Sequence, residues 1–281
     1  MKIGLALGGG GVRGLAHIAV LEALDEFGLK PAVLAGTSMG AIIGALYASG
    51  MHGKEIRGKV NRHLVLKNDT WRQLLEKKTD LLKWVNAFSI EFSRGGLINT
   101  QGFLKFLLTE IQKNTFEELE IPLLVIAADY WTAEEVVFQS GELQPAIQAS
   151  MAVPGIFRPV SINDRVLIDG GTVNLVPYDH LWGRSDFTIA VNVCRARKSG
   201  RQEVPNALES VLGTFDIMQT AALLAKMKYR KPDIYVHLEI QGMRMLDFSR
   251  VEEVFVQAAP SITQLKKQLE KVSGVNARTA R

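Results

Sequence analysis

Apolar and polar positions along the chain alternate between two periods. An unbroken apolar run, IGLAL at 3–7, stops at four glycines, Gly8 to Gly11. From Gly14 to Phe27 the apolar residues then recur every three or four positions, the signature of a helix with one buried face. Pro31 forbids its continuation, and AVLAG at 32–36 is a second short apolar strand. TSMGAIIGALYASG follows as a helix of small residues ending near Gly50. Two strand–turn–helix units within fifty residues predict a mostly parallel central sheet with helices on both faces, an α/β fold.

Residues 52–118 change character: they are charged and tryptophan-bearing and carry a break at FSRGGLINTQ (92–101). They are expected to form a helical insertion or cap with a central loop. Strands resume at 121–130 and 134–141. A helix begins at Leu143 and stops at Pro154, 165–171 reads as a strand or hairpin arm entering a turn, and 186–193 is another core strand. A helix over roughly 207–228, a late strand at DIYVHLEI and a charged closing helix complete a C-terminal extension, 200–281. The whole chain, 1–281, reads as one domain.

Composition sharpens this picture without redirecting it. The chain is 47% hydrophobic and 22% charged, which suits a globular core. One cysteine, Cys194, excludes an internal disulfide framework and a cluster of cysteine metal ligands. No apolar run reaches the length of a membrane span, and no secretory signal is evident, so a cytoplasmic protein is expected, with contact at the inner membrane surface in view. The net charge of +4 is unevenly placed. Residues 52–85 carry nine Lys/Arg against four Asp/Glu, and 262–281 carry five against one. These two zones suit either solvated helix faces or an anionic surface.

The glycines pose the chemical question. Gly9 to Gly14 match GxGxxG between a strand and a helix, but no acidic residue ends the second strand, as a dinucleotide site requires. Gly14 is followed by Leu15-Ala16 and not by Lys-Ser/Thr, which removes the phosphate-loop reading. After the second strand stands GTSMG, Gly36 to Gly40, which fits the nucleophile elbow GxSxG in its strand–turn–helix setting. Side chains at Gly36 and Gly40 would crowd the crossing backbones, and the turn would expose the Ser38 hydroxyl. Attack of Ser38 on an ester would create an oxyanion, and amides from Gly9, Gly10 and Gly11, with Met39 at the start of the helix, are the expected donors.

Five histidines are available as a base, His17, His52, His63, His180 and His237, and no feature of the sequence ties any of them to Ser38. Asp169 in LIDGG is better placed, because Gly170-Gly171 let the chain turn and leave the carboxylate at a sheet end. Partial burial away from cations would raise its basicity. Asp129 is the competing acid.

With its spaced motifs, GGGGVRG at 8–14, GTSMG at 36–40, QASMAVPGIFRPV at 148–160 and DGG at 169–171, the chain resembles the patatin-like phospholipases of bacteria. The resemblance covers most of 3–195. It implies a three-layer fold and a Ser38–Asp169 dyad without a catalytic histidine. It also implies an oxyanion hole in the 9–11 stretch with Arg13 nearby, and neither metal nor cofactor. Gly14, Gly36, Gly40, Gly170 and Gly171 fall at its motif positions. The implied activity is hydrolysis of phospholipid or lysophospholipid through an acyl-enzyme, with transient contact to an anionic membrane and no nucleic-acid partner. A small-ester or thioester hydrolase and a non-catalytic lipid-binding or scaffolding protein are the alternatives. Apolar residues between Leu81 and Phe106, among them Trp84, Phe88, Phe92 and Phe103, are candidates for an acyl channel under a basic rim, or simply for packing within the cap.

Overall fold

The computed structural model describes residues 1–65, 97–194, 204 and 207–279. Among them, eight strands form one sheet: β1 (Ile3–Leu7), β2 (Val33–Thr37), β3 (Leu123–Asp129), β4 (Glu135–Phe138), β5 (Val160–Ile162), β6 (Arg165–Asp169), β7 (Phe187–Asn192) and β8 (Ile234–His237). β3, β2, β1, β7 and β8 run parallel, and β4, β5 and β6 join antiparallel at the β3 end. The helices are α1 (His17–Glu26), α2 (Met39–Ala48), α3 (Gly53–Val65), α4 (Leu97–Glu110), α5 (Leu143–Ser150), α6 (Ala207–Tyr229) and α7 (Val251–Thr279).

The period-two alternation of the strands sorts side chains into two layers. Leu5, Leu7, Ile189 and Val191 point into a large core shared with α1, α2, α4, α5 and α7. Ala6, Ala35 and Ala190 point the other way, where Val176, Tyr178 and Leu181 pack with Leu223 of α6. Small side chains on that face let the irregular 175–181 segment lie close to the sheet. α2 is buried along its whole length and apolar around its circumference, as a helix enclosed by others must be.

One feature of the register positions the site. Val125 and Ile126 of β3 pair with β2 and β4 at once, while Ala127 and Ala128 pair with β4 and β6 at once. β2 and β6 therefore lie on the same side of β3, end to end. Thr37 pairs with Ile126 and Asp169 with Ala127, so the ends of the two strands meet across adjacent residues of one neighbour.

Three local expectations are corrected. Residues 11–16 form a 3-10 turn before α1, because Gly11 sits at φ 58° and Val12 N–H donates to Met245 O at 2.8 Å. The break expected over 92–101 ends earlier, since α4 starts at Leu97. Val160–Ile162 is a strand, joined to β6 by a two-residue turn in which Asn163 and Asp164 both have positive φ, a turn whose twist matches that of a hairpin. Most of the insertion's centre, including Leu81, Trp84, Phe88 and Phe92, lies outside the described residues.

Candidate active site

Ser38 stands between β2 and α2 with φ 54° and ψ −122°, a conformation that costs a non-glycine residue energy and is found where the surroundings enforce it. The enforcement is visible on both sides. A Cβ on Gly40 would lie 2.1 Å from Leu7 O, and one on Gly36 2.7 Å from Ala41 N, so neither position admits a side chain without moving backbone. Ser38 O accepts from Ala41 N–H and Ile42 N–H, which starts α2, and Ser38 N–H donates to the buried Ser150 hydroxyl at 2.8 Å. Thr37 Oγ1 donates to Asn174 O at 2.9 Å and ties the end of β2 to the segment after β6.

The glycine loop crosses directly over this turn. A Cβ on Gly9 would sit 3.4 Å from Ser38 Cβ. The Gly9 amide, however, donates to Leu175 O at 3.0 Å, so the expected set of three glycine donors narrows to Gly10 and Gly11. Gly10 and Gly11 stand at the start of the 3-10 turn and Met39 at the start of α2, where no preceding helical turn accepts from their amides. The loop's carbonyls are held from behind. Arg13, buried, donates from Nε to Gly10 O at 3.1 Å and lies 3.7 Å from Asp216. His17 donates from Nε2 to Gly8 O at 2.7 Å. Complete burial lowers the His17 pKa to about 4, against the smaller opposing effect of that bond, so the ring is neutral and structural.

Asp169 meets Ser38 from the end of β6. It is 2% exposed, and its carboxylate accepts from Gly171 N–H at 2.7 Å. Burial raises its pKa from 3.8 to about 6, while the neighbouring Ser38 hydroxyl and the bonded Gly171 amide act in the opposite direction. No cation contributes to that balance. The carboxyl is thus a stronger base than a solvated aspartate and still ionised at neutral pH. Gly170 admits the close turn, since a Cβ there would lie 2.2 Å from Ile126 O.

A cavity of about 30 Å³ opens beside these groups, lined by Gly9 to Gly11, Ser38, Met39 and Asp169. Its apolar wall comes from Leu104, Met151, Phe157, Phe215, Met245 and Phe248. Of the residues weighed for an acyl channel or for packing within the cap, Phe103 and Phe106 pack against His63, and Phe103 also against Phe248. The other candidate bases are occupied elsewhere. His180 bonds Glu135 at 2.7 Å, His237 bonds Cys194 O, His52 lies 3.6 Å from Asp25 and His63 stacks on Phe106. Asp129 accepts from the amides of Trp131 and Thr132, an ordinary turn.

Sequence reasoning missed Ser150, whose place in QASMAVPG was noticed without its role, and the wall supplied by α6 and residues 245–248. Long-range packing alone brings those residues to the site.

Over residues 5–182 the chain matches the model of the patatin-like phospholipases. The chain belongs to that family. An uncharacterized NTE family protein of Mycobacterium tuberculosis is 30% identical over 233 residues, covering 79% of this chain and 60% of that protein. Lysophospholipase NTE1 of Saccharomyces cerevisiae is 28% identical over 279 residues, covering 90% of this chain and 16% of the yeast protein. The chain thus spans three fifths of the mycobacterial relative and a small part of the yeast one. Among solved structures, VipD from Legionella pneumophila shares the fold, with a TM-score of 0.50 at 13% identity, covering 94% of this chain and 66% of that one. Patatin-like membership supports ester hydrolysis. Among the described residues no helix is long and apolar enough to cross a membrane.

Proposed function

We propose that this patatin-like chain is a serine acyl-ester hydrolase that releases fatty acid from phospholipid or lysophospholipid. The observation that carries the reading is that Ser38, at a strained strand–helix turn, and the buried Asp169, whose pKa burial raises to about 6, line one cavity under the glycine loop. Asp169 accepts the hydroxyl proton as Ser38 Oγ attacks the acyl carbonyl, and the oxyanion is met by the amides of Gly10, Gly11 and Met39. Collapse of the tetrahedral intermediate breaks the ester bond, and the proton on Asp169 passes to the leaving alkoxide. Asp169 then takes a proton from water, whose oxygen attacks the acyl-enzyme, and returns it to Ser38 as the fatty acid leaves. The lysophospholipase relative and the apolar wall of the cavity support a fatty acyl group over a polar one.

Intact-mass spectrometry after exposure to a fluorophosphonate tests the reading. Wild type is expected to gain one adduct, Ser38→Ala none, and Asp169→Ala an adduct at a strongly reduced rate. A folded wild type that takes up no adduct would reject it. Hydrolysis of lysophospholipid, diacyl phospholipid and short p-nitrophenyl esters, measured side by side, then separates the lipase from a small-ester hydrolase.

A further inference from the structure

α6 turns polar side chains inward and apolar ones outward. Its inner face supplies Phe215, Asp216 and Gln219 to the Ser38 cavity and Leu223 to the smaller core layer. Its orientation is fixed at the C-terminal end, where Lys226 Nζ donates to Asn174 Oδ1 at 2.6 Å and to Val176 O at 2.8 Å. The outer face consequently cannot turn inward, yet it carries Val211 and Met218, each 65% exposed, together with the exposed Ile217, Ala221, Leu224 and Ala225. No exposed position from 211 to 225 bears a charge. An apolar helix face is normally covered by protein or lipid, and this helix is too short of apolar sequence to cross a membrane.

The end of the face is basic and aromatic. Lys228, Arg230 and Lys231 are exposed, Tyr229 is 86% exposed, and Arg230 lies over the Trp182 ring. An apolar strip ending in cations and amphipathic rings complements an acyl boundary overlaid by anionic headgroups. We propose that the outer face of α6, with Lys228, Arg230 and Lys231, docks the protein on an anionic lipid bilayer, bringing the cavity walled by its inner face next to lipid. The inference deepens the lipid-ester reading above and rests on it. Neither of the basic zones read from the sequence, 52–85 and 262–281, contains this face.

Flotation of the full chain with phosphatidylglycerol/phosphatidylcholine vesicles tests it, alongside pure phosphatidylcholine vesicles. Wild type is expected to float with the anionic vesicles. Ile217→Asp/Leu224→Asp should weaken partitioning by about tenfold or more, because two apolar anchors become charges. Lys228→Glu/Arg230→Glu should lose the preference for anionic over neutral vesicles. Circular dichroism and thermal melts check that each variant folds. Failure of wild type to bind either vesicle, or folded variants that bind as wild type does, would overturn the proposal. So would a wild-type dimer, seen by light scattering, that Ile217→Asp/Leu224→Asp makes monomeric with vesicle binding unaltered; that result would assign the face to a second copy of the chain. Fluorophosphonate labelling without lipid reads Ser38 separately, so failed docking with intact labelling leaves the hydrolase reading standing.

Discussion

Asp169 and Asp179 lie ten residues apart, and their surroundings drive their carboxyls in opposite directions. Both are taken out of water, which by itself raises a carboxyl pKa. At Asp169 burial prevails and the pKa climbs to about 6, with a hydroxyl and an amide as the only opposing partners. At Asp179 burial also pushes upward, but the Lys226 ammonium 2.5 Å away, Asn174 and His180 outweigh it and hold the pKa below its ordinary value. His180, bonded to Glu135, is correspondingly raised. A partly buried carboxylate with a cation is a fastening, and here it pins α6 to the segment after β6. A buried carboxylate beside a serine and without a cation has the raised pKa that the proposed base requires.

The comparison breaks first at Asp169 if the assignment is wrong. Asp169→Asn is expected to reduce ester hydrolysis at pH 7.5 by about 100- to 10,000-fold, the usual worth of a general base. The wild-type rate should rise with pH through an inflection near 6, where the carboxyl loses its proton. A pH profile flat from 5 to 8 would exclude Asp169 as the base.

At Asp179 the expected loss is in stability. Lys226→Met leaves a partly buried carboxylate without its cation and should cost about 2–3 kcal/mol in denaturant unfolding, discounted for the solvent that reaches the pair. Lys226→Met/Asp179→Asn should recover most of it, since no unpaired charge remains. If both variants lose the same amount, the pair is not what fastens α6.

Asp169 should also reveal itself as a stability cost. The unfolded chain gives up this proton near 3.8 and the folded chain near 6, so the folded state binds more protons between those values and loses stability as pH rises across the window. Relative to wild type, Asp169→Asn should therefore gain about 2 kcal/mol on going from pH 4 to pH 8. A gain in the opposite sense would show the carboxylate to be stabilised by a group other than those bonded to it.

The smallest effect concerns Ser150. Removing its hydroxyl in Ser150→Ala leaves the Ser38 amide unpaired in a buried turn and should cost about 1 kcal/mol, read as roughly a fivefold fall in kcat with little change in KM. A change in KM alone would place Ser150 with substrate binding instead of the elbow.

Much of this protein was legible in one dimension. Period-two and period-3.6 patterning marked the strands and helices, because burial of one face is a local property of residue spacing. Gly36, Ser38 and Gly40 announced the elbow for a related reason: the tight turn forbids side chains within four residues of sequence. Asp169 was legible as an acid at a strand end followed by glycines. Gly9 was misjudged as a donor, since its amide is satisfied by Leu175, and nothing in the glycine run itself reports a partner so far along the chain. The β5 turn hid because Asn163-Asp164 supplies positive φ without a glycine.

Spacing and residue type alone determined the α/β class, the strained serine and the short list of acids. Tertiary structure decided which acid shares a cavity with that serine. β2 and β6 meet end to end along β3, burial then raises the Asp169 carboxyl, and Lys226 holds Asp179 down. Local sequence encodes conformational preference, but the charge state of a carboxyl depends on what lies beside it in space and how little water remains.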